Sequence, residues 1–286
     1  MTRVGVGGLI DDTSSTTSSF RDRGLEAALD AIGEAGFPQA EICEAEEHVG
    51  TPSDQEISRI RNILEAHSVR GRTMHAPLRS TLATMDAVSR NQSVETLKEL
   101  IRMAGALNLT DLVVHPTNSR ELAPYADDPQ MPQRVRESVV RSLDEIMPVI
   151  EQSTVRIIIE NLPYTPIPFA SMAELRSLVE PYPTESVGLI VDIGHAYRLD
   201  RDPAGEIRAS GSRLCGTHIH GVNVNAERID HYSPTMGDLD WDAIRQAYAD
   251  IDYKGPWTSE AFKPSDGQSP EELTREVRDW MTAWLS

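Results

Sequence analysis

Along the chain, short runs of β-branched and apolar residues alternate with longer stretches whose apolar positions recur every three or four residues. The short runs predict strands at Arg3–Gly7, Gln39–Cys43, Val69–His75, Asp111–His115, Val155–Glu160, Val187–Asp192, Leu214–His220 and Trp257–Glu260. Leu112–Val114, Ile157–Ile159 and Leu189–Val191 are apolar at consecutive positions, the pattern of strands in a parallel sheet covered by helices. The intervening stretches predict helices over 19–35, 53–66, 91–107, 132–151, 171–179, 240–249 and 269–285, with a short one near 203–210. In the first, Leu25, Ala28, Leu29 and Ile32 share a face and Gly36 is a stop. The last opens on Ser269-Pro270-Glu271-Glu272: a capping side chain, then Pro at the first helical position and acids in the first turn. Polar stretches at Thr13–Ser19 and Thr117–Pro132 read as loops.

This alternation gives an α/β fold, a single (β/α)₈ TIM barrel with one domain over residues 1–286. An open doubly wound sheet is the runner-up. No Gly-x-Gly-x-x-Gly follows the first strand and no phosphate-loop motif occurs, which weighs against it.

Composition narrows the partners. With 27 Lys+Arg against 45 Asp+Glu, the formal net charge of -18 repels phosphate backbones and anionic lipid, so nucleic acid is a disfavoured partner. No run approaches the ~18 apolar residues of a membrane span. The first residues lack an apolar signal core, so the expected location is the cytoplasm. Cys43 and Cys215 lie in apolar runs and are expected as buried thiols; two cysteines make neither a disulfide scaffold nor a cysteine-based zinc site. Association into a homo-oligomer is left open.

The candidate chemistry is positional. His75, His115, Glu160, Asp192, His218 and Glu260 each fall at the carboxyl end of a different predicted strand. In a barrel those ends converge on one face, where catalytic groups collect. A lone histidine in an apolar run is usually a satisfied core residue, and a strand-ending acid is often a cap. Six strands out of eight ending in a potential ligand resist both explanations. Two Glu, one Asp and one His suit Mn²⁺, Mg²⁺, Co²⁺ or Zn²⁺. His75 and His115 have two open roles, a second ion or hydrogen bonds to substrate. His195, three residues after Asp192, swings onto the following turn to face the same pocket. His231, beside Asp230 in a polar loop, is a further substrate-binding candidate. His220 shares the face of His218 only if the strand continues. His48 and His67 read as surface residues.

Met74-His75-Ala76-Pro77, Val114-His115-Pro116, Ile159-Glu160-Asn161, Val191-Asp192-Ile193-Gly194-His195, Thr217-His218-Ile219-His220, Asp230-His231, Gly237-Asp238-Leu239-Asp240-Trp241 and Ser259-Glu260 together resemble the xylose isomerase-like TIM-barrel superfamily. That group holds sugar and sugar-phosphate isomerases and epimerases, inosose dehydratases and endonuclease IV-type repair enzymes. The resemblance implies that Glu160, Asp192, His218 and Glu260 coordinate one catalytic divalent metal. It further implies that Glu160 and Glu260 are the catalytic acid and base, moving a proton next to the carbonyl of a small polyhydroxy substrate through an enediolate. His75, His115, His195 and His231 are then substrate-binding. An inosose-type dehydratase is the alternative on the same scaffold. In the endonuclease branch the matching positions bind further zinc ions: His75, His115 and Glu160 one, His195 with an Asp and a His of the loop near 230 another. That branch expects Asp-x-His, whereas Asp230 and His231 are adjacent here. The arginine-rich stretch of many sugar epimerases after the seventh strand is also missing, Gly221–Asn225 standing there instead, which favours a neutral sugar or polyol. A barrel that binds metal without catalysis would lack one carboxylate of the pair, and both are present.

Overall fold

The computed structural model describes residues 10–43, 47–164, 168–225 and 228–286. Parallel strands β1 (Thr13–Thr16), β2 (Gln39–Ile42), β3 (Arg70–His75), β4 (Asp111–Val114), β5 (Arg156–Glu160), β6 (Val187–Asp192) and β7 (Leu214–Ile219) follow one another around a barrel. After an antiparallel hairpin of β8 (Gly221–Asn223) and β9 (Ile229–Tyr232), strand β10 (Trp257–Ser259) pairs with both β7 and β1 and closes it. The eight-stranded TIM barrel expected from the alternation is the observed fold. Helices wrap it with the faces their spacing requires: Leu25, Ala28, Leu29 and Ile32 are all buried in the helix Leu25–Glu34. Ser269 caps the helix Pro270–Leu285 in a reciprocal capping box with Glu272.

The first strand departs from expectation. Arg3–Gly7 lies outside the described residues, and the strand between β2 and β10 is Thr13–Thr16, within the stretch read as a loop. Thr-Ser-Ser-Thr carries no apolar period, yet all four residues are buried. Branching at Cβ suits threonine to a pleated backbone, and nearby partners satisfy its hydroxyls. Thr13 Oγ1 donates to the Ile10 carbonyl at 2.7 Å, and Thr16 Oγ1 donates to Ser18 Oγ at 3.1 Å. Thr17 Oγ1 then accepts from the Cys43 amide at 2.9 Å, tying the end of β1 to the end of β2.

The second polar stretch is also partly helical. Asn118 caps a turn of helix at Ser119–Leu122, followed by a 3₁₀ turn at Ala123–Tyr125, and the next helix already starts at Met131. The short segment near 203 forms the helix Pro203–Ser210, capped by the Asp202 side chain. Cys43 and Cys215 are buried and form no disulfide. Among the described residues no helix is long and apolar enough to cross a membrane.

At the amino-terminal end of the barrel, Arg156 Nε donates to Asp111 Oδ1 at 2.7 Å and Thr110 Oγ1 donates to the other carboxylate oxygen at 2.7 Å. Asp111 is fully buried, and that guanidinium is the cation paired with it. Replacing Arg156 with Met should cost about 3 kcal/mol of stability in urea unfolding, since one partner of a buried pair is removed. A loss below about 1 kcal/mol would show that the pair does not support the barrel.

Candidate functional site

All strands of a parallel barrel present their carboxyl ends to the same mouth. β3 ends on His75, β5 on Glu160 and β6 on Asp192; His218 is the next-to-last residue of β7, and His115 and Glu260 directly follow β4 and β10. The three-residue step from Asp192 to His195 has a local cause. Asp192 is the N-cap of the helix Ile193–Arg198, its Oδ1 accepting from the His195 amide at 2.6 Å, so the first turn carries His195 back over the mouth. His231 belongs to β9 next to Asp230, and neighbours in a strand normally face opposite sides. Here His231 has φ of +66°, a left-handed conformation that breaks the alternation. The adjacency that departs from Asp-x-His therefore does not keep Asp230 and His231 apart.

Among the described residues, four overlapping groups bring potential ligand atoms within 4.8 Å of one another: Glu160, Asp192, His218 and Glu260; His75, His115 and Glu160; His195, Asp230 and His231; and Asp192, His220, His231 and Glu260. Every site residue expected from the sequence is in at least one.

Hydrogen bonds at the back of the rings orient the imidazoles. A carbonyl only accepts, so each ring nitrogen facing one carries the proton. His75 Nδ1 donates to the Ala76 carbonyl at 2.8 Å, His195 Nδ1 to the Asn161 carbonyl at 2.9 Å, and His231 Nδ1 to the Glu260 carbonyl at 3.2 Å. His218 is held the other way round, its Nε2 lying 3.1 Å from Glu41 Oε1. With that proton on Nε2, Nδ1 turns a lone pair toward Glu160 Oε1 at 3.3 Å and Glu260 Oε2 at 3.1 Å. His218 Nδ1 and Glu260 Oε2 are buried and have no hydrogen-bond partner among the described residues. An acceptor nitrogen facing a carboxylate oxygen in a dry site is unfavourable unless a proton or a cation stands between them. The donor set of two Glu, one Asp and one His fits a hard or borderline divalent cation.

The electrostatics carry the same strain. Burial opposes ionisation of Glu160, but His218, His115 and His195 outweigh it and hold the carboxyl well below its ordinary range. Burial likewise opposes charge on His218, yet Glu260, Glu41 and Glu160 lift it well above the usual imidazole value. His195, buried beside Asp192 and Glu160, is pushed up to about 10. Burial lowers His115, and burial with the charge of His220 takes His231 well below its ordinary value. Burial raises Glu260. Without a cation, protons drawn onto a few rings are what neutralise the carboxylates.

Three features were not read from the sequence. Glu41, a fully buried carboxylate inside β2, accepts from Thr73 Oγ1 at 2.7 Å and orients His218; an acid between Ala40 and Ile42 was the available signal. His220, left undecided, is buried with Nε2 at 2.9 Å from both oxygens of Asp192 and Nδ1 accepting from the His231 amide at 2.9 Å. Gly194 makes room for it, since a Cβ there would lie 2.0 Å from His220 Cε1. His48 is the third, and corrects the surface assignment. It is fully buried, its Nε2 donating to the Phe20 carbonyl and its Nδ1 3.1 Å from Cys43 Sγ. His67, at a helix end, donates from Nδ1 to the Ile63 carbonyl.

Above the cluster opens a cavity of about 270 Å³. His75, His115, His195, His231, Glu160 and Glu260 line it, whereas Asp192 and His218 lie fully buried beneath. Arg21, Arg120, Tyr164 and Phe262 also line it, from the segments that follow the strands and carry no repeat.

The xylose isomerase-like TIM barrel family model matches residues 29–284. An uncharacterized protein of Sinorhizobium fredii, y4fM, is 28% identical over 262 residues, covering 84% of this chain and 82% of its own. Among solved structures, 3-keto-D-glucoside 4-epimerase YcjR from E. coli superposes with a TM-score of 0.76 at 18% identity, over 96% of this chain and 98% of that one. The IOLI protein with a binding zinc atom gives 0.77 at 16% identity, with the same coverages of 96% and 98%.

Two substitutions test how the centre is supported. Glu41→Gln should weaken any Mn²⁺ binding at the four-residue group about tenfold or more in calorimetry while the far-ultraviolet circular dichroism is kept, because a carboxylate behind an imidazole that took a cation would orient the ring and raise its basicity. Unchanged affinity would remove Glu41 from the centre. Gly194→Ala should displace His220 from Asp192, shifting the His220 ring resonances in an NMR spectrum. Unshifted resonances would mean the site absorbs the methyl group elsewhere.

Proposed function

The chain belongs to the xylose isomerase-like TIM-barrel family, and from that premise we propose that it is a divalent-metal-dependent isomerase or epimerase acting on a small sugar or polyol carbonyl. One observation carries the reading. The buried, unpartnered atoms His218 Nδ1 and Glu260 Oε2 face each other at 3.1 Å, within one group with Glu160 and Asp192. Glu160, Asp192, His218 and Glu260 are the residues that would hold the cation, and a bound cation supplies Lewis-acid polarisation of a carbonyl and its neighbouring hydroxyl.

The protein's own part is proton transfer and orientation. Glu160 and Glu260 both reach the cavity and flank His218 Nδ1, so a carbon held between them has a carboxylate on either side. One removes the proton from the carbon next to the carbonyl; the other delivers a proton to the opposite face or to the neighbouring carbon. His75, His115, His195 and His231 line the same cavity and bind substrate oxygens there. The buried floor excludes water on the protein side, which protects a carbanion-like species from random protonation.

A second reading, an endonuclease IV-like metal-dependent phosphodiesterase, is favoured by the separate His75–His115–Glu160 and His195–Asp230–His231 groups. The formal net charge of -18 and a cavity of about 270 Å³ favour the small substrate.

Glu160→Gln and Glu260→Gln should each lower turnover by about 10²-fold or more with the fold intact, as loss of a positioned acid or base does. The readout is wash-in of deuterium beside the carbonyl across a panel of ketoses and aldoses, followed by NMR in D₂O. Exchange that survives in either variant at near wild-type rate would contradict the two-carboxylate mechanism. Elemental analysis of protein purified without chelator should find about one divalent ion per chain, against about three for a phosphodiesterase of the second kind.

A further inference from the structure

The charges that line the cavity are sorted by depth. Among the described lining residues the only carboxylates are Glu160 and Glu260, both buried against the histidines. The only guanidiniums are those of Arg21 and Arg120, both exposed at the outer end. This holds in a chain where acids outnumber basic residues by 45 to 27, so the outer end of the cavity, among its described lining residues, has the opposite sign to the chain as a whole. Each arginine is also placed by a specific contact. Arg21 follows the 3₁₀ turn Thr17–Phe20 and lies 5.7 Å from the centroid of the Phe262 ring. Phe262 in turn stacks on His231, at 4.2 Å between centroids and 21° between planes. That stack sets Arg21 over the side of the cavity nearest Glu260. On the other side, the Asn118 side chain accepts from the Arg120 amide at 2.9 Å and fixes the start of the turn that carries Arg120. Arg120 makes no ion pair with a carboxylate among the described residues. Beside it, Thr117 is fully buried, lines the same cavity, and its Oγ1 has no hydrogen-bond partner among the described residues.

We propose that the substrate carries an anionic group, a carboxylate or a phosphate, at the end of its carbon chain remote from the reacting carbonyl, and that Arg21 and Arg120 bind it at the rim. This rests on the reading of the site as a metal-dependent isomerase or epimerase and deepens it, replacing the neutral substrate favoured by the missing arginine stretch after β7. The physical reason is twofold. An anion approaching a molecule this acidic is repelled at long range, and a pair of cations at the mouth is what draws it in and orients it. A forked guanidinium also matches a carboxylate or phosphate in geometry, which a hydroxyl does not exploit. The substrate then lies along the cavity, its anion outward and its carbonyl end over Glu160 and Glu260, with Thr117 Oγ1 available to a hydroxyl between them.

The test uses non-reacting probes on the full chain loaded with Mn²⁺: erythritol, D-erythronate and erythritol 4-phosphate, titrated by calorimetry. At least one anionic probe should bind about tenfold tighter than erythritol, the scale of one charge-assisted contact, and the preference should shrink as salt is added. Comparison of erythronate with the phosphate identifies which anion is meant. In Arg21→Met and Arg120→Met, checked for fold by circular dichroism, the preference should fall several-fold while erythritol affinity stays the same. Equal affinities for all three probes overturn the inference, and so does a preference that both variants retain, since the anion would then be contacting the metal. These outcomes are independent of turnover: a chain that exchanges deuterium but shows no arginine-dependent preference fails here alone. One with the preference but no exchange fails the isomerase reading instead.

Discussion

The mouth of this barrel depends on the burial of carboxylates against imidazoles. Glu41, Glu160, Asp192 and Glu260 are all buried, with His75, His218 and His220 packed among them. Ionised groups removed from water are tolerated only when paired, hydrogen-bonded or bound to a metal. His75, His195 and His231 each commit one ring nitrogen to a carbonyl and His218 commits one to Glu41, while His218 Nδ1 and His75 Nε2 face carboxylate oxygens. The rest of the structure serves that arrangement. Strand order brings the six strand ends together, Gly194 clears space for His220, and the left-handed turn at His231 redirects a hairpin into the cluster.

How far the sequence reveals this follows from which physical signals survive in one dimension. Runs such as Ile157–Ile159 and Leu189–Val191 are apolar because helices cover them, so the barrel was readable from them. A ligand at a strand terminus is equally visible, since Glu160 and Asp192 end such runs abruptly. The first strand is not visible because its residues are small and hydroxylated, and the burial of Thr13 and Thr16 is made tolerable by hydrogen bonds that no periodicity encodes. Glu41 and His48 were missed for a related reason: their partners, His218 and the Phe20 carbonyl, are distant in sequence or supplied by the backbone. Arg21 follows a 3₁₀ turn and Arg120 sits in a single helical turn, where position is set by local capping and ring stacking rather than by a repeat.

The division of labour between floor and rim separates the two functional claims. The floor is built on strand ends and on hydrogen bonds to backbone carbonyls, which fix the direction of its side chains. The rim is built on exposed side chains from the loops after β1 and β4, where one barrel differs from another. On the proposed function, Glu160, Asp192, His218 and Glu260 set the reaction class, and Arg21 and Arg120 the substrate class.

On the proposed function, the inward-facing lone pairs of the floor take a cation rather than a shared proton. Crystals soaked in Mn²⁺ and measured at the manganese absorption edge test it most directly. The account predicts an anomalous peak in contact with Glu160, Asp192, His218 Nδ1 and Glu260, with Glu41 still on His218 Nε2. No peak there, with His218 Nδ1 hydrogen-bonded instead to Glu160 or Glu260, would contradict it.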